Sequence, residues 1–258
     1  MTDNIFAGQV ALVTGGAGDL GNEMALHLAQ AGASIAIWDL KSESEAAERI
    51  ARVKRVGQRL QYAQVDISDR AAVEQGLDRV MQTFGRLDIV CANAGIVIAQ
   101  PFLEITQEAW QKHLDVNLTG GFNVGQAAAR RIVAAKTPGR IIYTSSWVAN
   151  VPWPEDTSYT VSKAGVNMLV RQMARELAVY GIRVNAIAPG IVRAGLAGRQ
   201  MIEEPQYAAR VSKVIPLGAP GTPVEIAQAV VYLASPQTAY MTGTILTLDG
   251  GCSLFQFD

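Results

Sequence analysis

The chain is poor in the residues that usually signal stapled, metal-bound or nucleic-acid-binding proteins. Cysteine and histidine are scarce, two of each in 258 residues, and neither Cys91 nor Cys252 has a Cys or His neighbour at ligand spacing. That argues against a disulfide framework and a zinc site, and no metal is expected. Cys91, set in an apolar run, reads as a buried small hydrophobe. A charge excess is also missing: 22 Lys+Arg stand against 23 Asp+Glu. A nucleic-acid-binding surface usually shows as a strong basic excess, so no nucleic-acid partner is expected. No apolar run reaches the ~18 residues of a membrane span. The opening Met1-Thr2-Asp3-Asn4-Ile5-Phe6 lacks the basic-then-apolar pattern of a signal peptide, so the expected location is the cytoplasm. No linker, low-complexity tract or tandem repeat interrupts the chain.

What is present is an apolar content of 49%, enough for a sizeable core. It is arranged as short apolar runs followed by longer amphipathic ones. Val10–Val13, Ser34–Trp38, Leu60–Val65, Leu87–Ala92, Arg140–Ser145, Ile182–Ala188 and Thr244–Leu248 read as strands. Leu20–Ala31, Ser42–Val56, Ala71–Phe84, Gln107–Ala135, Tyr159–Tyr180 and Pro223–Ala234 read as helices, with Ser42 a candidate N-cap and Gly32, Gly57 and Gly85 as stops. This alternation implies parallel strands with crossover helices on both faces. Strands that are apolar nearly throughout fit a sheet covered on both sides. The expected fold is α/β: one doubly wound, Rossmann-like domain over residues 1–258, with a mostly parallel seven-stranded sheet. Ligands bind such sheets beyond the carboxyl ends of the strands.

After the first strand comes Thr14-Gly15-Gly16-Ala17-Gly18-Asp19-Leu20-Gly21. Glycines there allow a tight turn and a close backbone approach to a pyrophosphate at the helix N-terminus. Alone, the pattern also fits an ordinary strand-to-helix turn. The second strand ends in Asp39-Leu40, about 20 residues past the glycines. A carboxylate at that place accepts hydrogen bonds from both hydroxyls of an adenosine ribose and repels a 2′-phosphate. NAD is therefore expected rather than NADP, although Lys41 puts a cation close by. After the third strand, Asp66-Ile67 offers either an adenine contact or a helix N-cap.

Six further motifs narrow the reading. They are Asn93-Ala94-Gly95 after the fourth strand, Asn117 in the long helix, Ser145-Ser146 at the end of the fifth strand, Tyr159-Thr160-Val161-Ser162-Lys163, and Pro189-Gly190 with Asp249-Gly250-Gly251 near the end. In order and spacing, from residue 10 to 251, these resemble the short-chain dehydrogenase/reductase family. The resemblance implies a hydride transfer between NAD(H) and a secondary alcohol or ketone, such as a sugar, a polyol or another small carbonyl compound. It implies that Gly15, Gly18, Asp19, Leu20, Gly21, Asp39, Leu40, Asp66, Ile67, Asn93, Ala94, Gly95, Pro189, Gly190 and Ile191 line the cofactor, together with Tyr159 and Lys163. It implies a catalytic set of Asn117, Ser146, Tyr159 and Lys163, with Asn117 supporting a water that passes on a proton. Ser146 is preferred over Ser145 because it lies thirteen residues before Tyr159.

Two positions depart from that pattern. Asp19 stands where the family has glycine. Its charge would disfavour a nearby pyrophosphate, so it is expected to cap the first helix, point away from the phosphates or bond a cofactor hydroxyl. Ala194 stands where many relatives have a threonine that bonds the cofactor carboxamide.

The chemistry suits the residue types. Free tyrosine, with a pKa of about 10, needs roughly 3–4 kcal/mol of phenolate stabilisation to act as a base near neutrality. One ammonium about 4–5 Å away supplies roughly that at an effective dielectric of ~20. Lys163, one helical turn past Tyr159, is placed to do so. Ser146 would hold the substrate oxygen as charge develops on it. His27 and His113 have no telling partner and read as packed or surface histidines.

Around the reacting centre, Trp147 and Trp153 are expected either to wall the substrate pocket or to pack. The segment 191–215 reads as a long loop that acts as a lid and carries Arg193, Arg199, Tyr207 and Arg210, of which an inward Arg, with Arg193 the candidate substrate contact, would imply an acidic substrate. Ala127–Ala129 and Ala134–Ala135 offer a small-residue face, and Phe255 and Phe257 an apolar tail; with the family's habit of pairing long helices, they suggest a homotetramer. Two other readings stay open: an NADPH-dependent 3-oxoacyl-thioester reductase, and a nucleotide-sensing protein without turnover.

Overall fold

A computed structural model describes residues 4–203, 206, 211 and 213–254. Seven strands form one sheet: β1 (Val10–Thr14), β2 (Ser34–Asp39), β3 (Leu60–Gln64), β4 (Ile89–Ala92), β5 (Gly139–Thr144), β6 (Ile182–Pro189) and β7 (Ile245–Leu248). Their order is β3-β2-β1-β4-β5-β6-β7, and every pairing is parallel, with Leu12 opposite both Ala36 and Val90. The direction of winding reverses between β1 and β4, which opens a crevice beyond their carboxyl ends.

Alternate residues of each central strand feed two cores. Val10 and Leu12 face a layer built by α3 (Arg70–Phe84), α5 (Gly121–Ala134) and α6 (Thr157–Leu177). Ala11 and Val13 face α1 (Asp19–Gln30), α2 (Ala47–Lys54) and α8 (Pro223–Ala234). The central strands are buried on both faces and carry almost no alternation, whereas the edge strands β3 and β7 are only partly buried. The helix ends follow their expected signals. Asp69 caps α3 by accepting from the Ala71 and Ala72 amides, Gly85 closes it at φ +77°, and Thr222 with Glu225 makes a full capping box on α8.

Three segments differ from expectation. Ser42 does exchange hydrogen bonds with Glu45, its Oγ donating to Oε2 at 2.6 Å, but regular helix begins only at Ala47. The span 107–135 is not one α-helix. It runs as α4 (Gln107–His113), a π-helical stretch (Leu114–Gly120) and α5. Such widened turns recur at functional sites, and this one contains Asn117. Segment 191–215 is not wholly loop, because Gly195–Glu203 forms helix α7. Among the described residues no helix is long and apolar enough to cross a membrane. Ala127, Ala128 and Ala129 are buried inside the chain against the sheet, so their small side chains serve α5-to-sheet packing and present no face to another subunit. Phe255, Phe257, Tyr207 and Arg210 lie outside the described residues, as does the Arg199 side chain.

Candidate active site

The ends of β1 to β6 open on a single cleft of about 640 Å³. At its centre the Gly-rich turn leaves β1. Gly15 takes φ +64°, and a side chain on Gly21 would stand 2.2 Å from the Gly15 carbonyl oxygen, so only glycine lets α1 start this close to the turn. Gly18 is the N-cap of α1 and supplies no side-chain cap, so the helix start faces the cleft with a bare backbone. That is the polar floor a pyrophosphate requires. Thr14 fixes the facing turn. Its Oγ1 accepts from the amides of both Asn93 and Ala94 at 3.0 Å, and Asn93 Nδ2 donates to the Thr14 carbonyl at 3.0 Å.

At one end of the cleft, Asp39 ends β2. Its Oδ2 accepts from the Ala17 amide at 2.9 Å and its Oδ1 from the Lys41 amide at 3.2 Å, so the Gly-rich turn itself positions the carboxylate. Leu40, Asp66 and Ile67 line the same end. Asp66 does not cap α3, a role that Asp69 takes. Instead its Oδ1 accepts from the Ser68 amide and hydroxyl at 2.9 and 2.7 Å.

At the other end, Tyr159 and Lys163 share a face of α6, and the Lys163 ammonium lies 5.6 Å from the Tyr159 ring centroid. Lys163 is buried and donates to the Thr144 carbonyl at 2.7 Å, while Thr144 Oγ1 donates to Asn93 Oδ1 at 3.1 Å. Ser146 is hydrogen-bonded to the Tyr159 hydroxyl. Ser145 turns inward and donates to Asn167 Oδ1 at 2.6 Å.

Both polar atoms of the Asn117 side chain are hydrogen-bonded. Its Oδ1 accepts from the Ile96 amide at 2.8 Å, and its Nδ2 donates to the Ile96 carbonyl and to Ser162 Oγ, both at 3.0 Å. Ser162 in turn donates to the Tyr159 carbonyl at 2.7 Å. Asn117 therefore ties the loop after β4 to the start of α6. Thr14, Thr144 and Ser162 were not singled out from the sequence. Each adjoins a recognised motif, and that adjacency was the available signal.

Burial works against the phenolate that Lys163 and an oxidised nicotinamide are expected to stabilise. Burial pushes the Tyr159 phenol up to about 12; the Ser146 hydrogen bond pulls it down, and the Asp156 carboxylate pushes it further up. Burial also lowers Lys163 to about 8. Both groups are driven toward their neutral forms because both leave water.

Asp19 does not cap α1. Its Oδ1 pairs with Arg49 Nη2 at 2.5 Å and its Oδ2 accepts from the Gly195 amide at 2.9 Å. Pro189, Gly190 and Ile191 line the cleft at the end of β6. A side chain on Gly190 would meet the Asp249 backbone at 2.5 Å, which explains the glycine. Trp147 and Trp153 also line the cleft and contact each other edge to face, with centroids 5.3 Å apart, so they both wall the pocket and pack. They belong to an apolar cluster with Val148, Val211, Val214 and Ile215, against which Tyr159 and Met201 pack. Arg193 is not part of the pocket. Its amide donates to the Gly221 carbonyl at 2.9 Å beside a Val192–Gly221 bridge, and the exposed residue lies outside the cleft lining. Arg193 therefore lends no support to an acidic substrate, and the Arg199 side chain and Arg210 lie outside the described residues. His113 is a packed histidine, accepting from the Ile98 amide at 3.0 Å through Nε2.

The donors present fit a nicotinamide dinucleotide: a bare helix start at mid-cleft, an acidic pair at one end and a Tyr–Lys–Ser group at the other. Comparison with known proteins agrees. A family model described as enoyl-(acyl carrier protein) reductase matches residues 15–253. The chain is 38% identical over 248 residues to 3beta-hydroxysteroid dehydrogenase 1 of Eggerthella lenta, covering 96% of this chain and 95% of that protein. A short-chain type dehydrogenase/reductase from Mycobacterium marinum superposes with a TM-score of 0.88 at 35% identity, over 95% of each chain. An NAD+-bound xylitol dehydrogenase superposes with a TM-score of 0.90 at 31% identity, over 95% of this chain and 99% of that one. The chain belongs to the short-chain dehydrogenase/reductase family and is an oxidoreductase of alcohols and ketones that uses a nicotinamide cofactor.

Proposed function

We propose that the chain interconverts a largely hydrocarbon secondary alcohol and its ketone with NAD(H), through Tyr159 as proton carrier. One observation carries the reading: Ser146 and Tyr159 share a hydrogen bond above buried Lys163, at the opposite end of one cleft from Asp39.

A nicotinamide bound in this cleft supplies the hydride acceptor and, when oxidised, a positive charge. Ser146 holds the substrate oxygen, and Tyr159 takes the hydroxyl proton in oxidation or gives it back in reduction. A unit charge ~5 Å from the phenolate is worth about 3 kcal/mol at an effective dielectric of ~20, or roughly two pKa units. One ammonium is too little to bring a phenol near 12 down to neutrality, and two positive charges are about enough. The chemistry is therefore tied to the cofactor-bound state. Lys163 holds the first charge in place through Thr144, and Asn117 keeps the Asn93–Ile96 loop and the start of α6 in register.

Asp39 supports NAD over NADP, because its carboxylate is held at the rim by two backbone amides. The substrate end supports an apolar molecule. Trp147, Val148, Trp153, Ile191 and Met201 cluster beside Tyr159, and among the described residues the charged ones lining that end besides Lys163 are Glu155 and Asp156. Each sugar hydroxyl buried there without a partner would cost about 1–3 kcal/mol. The similarity to both a hydroxysteroid and a xylitol dehydrogenase leaves that choice to the pocket. The same chain is proposed to form a homotetramer, supported by exposed Phe122 on α5 and exposed Val161 and Met168 on α6.

The test is NADH and NADPH absorbance with a panel of alicyclic alcohols and ketones, polyols, aldoses and β-keto thioesters. Turnover of alicyclic substrates with NAD(H) supports the reading. NADPH-linked turnover of thioesters, or cofactor binding without reaction across the panel, would replace it.

A further inference from the structure

The two departures from the family pattern, Asp19 and Ala194, meet across the mouth of the cleft. The Gly195 amide, next to Ala194 and first in helix α7, donates to Asp19 Oδ2 at 2.9 Å although the two residues are separated by 176 positions. Gly195 takes φ +55°, a conformation that favours glycine, and Ala194 offers the cofactor no polar side chain. The other Asp19 oxygen pairs with Arg49 of α2 at 2.5 Å. Asp19 is thus anchored on one side and satisfies an otherwise unpaired amide in the first turn of α7, where a negative charge is also favourable to the helix dipole. The Gly195 hydrogen bond is the foremost reason its carboxyl lies below the usual range, with burial opposing and Arg49 reinforcing.

A carboxylate at the floor of a pyrophosphate site repels the ligand, so a bare acid there is a liability. Here one oxygen carries the Arg49 guanidinium and the other carries the start of α7. We infer that Asp19 is a positioning residue, a clasp that holds the start of the 191–215 segment on the Gly-rich turn and thereby slows release of the cofactor lying between them. Arg49 keeps the clasp ionised and turned away from the phosphates. In this chain the segment is fixed to the floor through its backbone, by a side chain that rises from the turn.

The test uses the full chain as wild type, Asp19→Gly and Asp19→Asn, with two readouts. The first is the NADH dissociation rate by stopped-flow fluorescence. The second, made without cofactor, is the rate of tryptic cleavage after Arg193. Wild-type NADH binding is measured first, so a failed cofactor assignment is not mistaken for a failed clasp. Loss of one charge-assisted hydrogen bond should speed NADH release about tenfold in Asp19→Gly. Cleavage should accelerate in the same variant, and Asp19→Asn, which keeps an oxygen facing Gly195, should lie between it and wild type. Three results overturn the inference: unchanged or slower release in Asp19→Gly, faster release with unchanged cleavage, or an Asn variant as leaky as the glycine one.

Discussion

Along the ends of β1 to β4 the cleft is made of short turns whose polar groups bond one another. Thr14 joins Asn93 and Ala94, and Asp39 is held by Ala17. Along the ends of β5 and β6 it is lined by apolar side chains from distant stretches, Trp147 and Trp153 from one loop and Ile191 from another, backed by Met201, Val211 and Val214. The first region tolerates little change because each partner is backbone or one atom away from it. The second is set by volume and shape, which many side-chain combinations can satisfy. Cofactor use should therefore be sensitive to single atoms, and substrate use should shift by degrees.

The hinge between the two regions is Tyr159, and its loss should have the largest effect. Tyr159→Phe removes one oxygen, and kcat should fall by about 10²–10⁴ while NADH binding, read by fluorescence titration, stays near wild type. Near-normal turnover would mean that another group carries the proton and that the comparison has the wrong centre. Next in size is Asp39→Ala. Losing charge-assisted bonds to the ribose and the repulsion of a 2′-phosphate should lower the NAD/NADP ratio of kcat/KM by about 10–100-fold. An unchanged ratio would show that the Ala17-held carboxylate does not read the ribose. Trp153→Ala tests the other region. It should raise KM for an apolar alcohol about tenfold and leave KM for NAD alone, since the indole contributes area rather than a specific bond. If both constants moved together, the two regions would be mechanically one.

The same contrast explains what could be read from the chain. The sheet was legible because a doubly covered strand carries a continuous apolar run, and all seven strands lie where those runs are. Asp39, Ser146, Tyr159 and Lys163 were legible because each sits at a fixed offset from a strand end or helix start. What was not legible depended on packing between distant segments. The π-helical stretch around Asn117 fits a close approach to the sheet, where a side chain on Gly125 would stand 1.9 Å from the Tyr143 hydroxyl. Arg193 looked like a pocket residue by position, but the bridge of its neighbour Val192 to Gly221 fixes the strand-like stretch that turns it out. The raised phenol of Tyr159 was hidden for the same reason. Spacing shows that Lys163 is near, whereas burial, which outweighs it, comes from the Trp147 cluster and the segment after β6.

The smallest expected effect concerns stability, and it asks how dry the lysine end of the cleft is. Folding lowers Lys163 from its ordinary value of 10.5 to about 8, so between those values the unfolded chain binds more protons at this site than the native one. Its contribution to stability is therefore present above pH 10.5 and is lost as pH falls toward about 8. Buried Cys91, pushed up to about 12, acts in the opposite sense above about pH 9, because the native state keeps a proton there that the unfolded chain gives up. The wild-type profile alone would hide the lysine slope. Subtracting the profile of Lys163→Met removes the Cys91 contribution, which both proteins share. The Thr144 carbonyl, which loses its donor in the variant, adds an offset that does not vary with pH. Urea unfolding from about pH 7 to about pH 10 should show wild type gaining on the variant as pH rises. A difference that stays flat would place the ammonium in water, and the fixed positive charge beneath Tyr159 would then be too well screened to assist the phenolate.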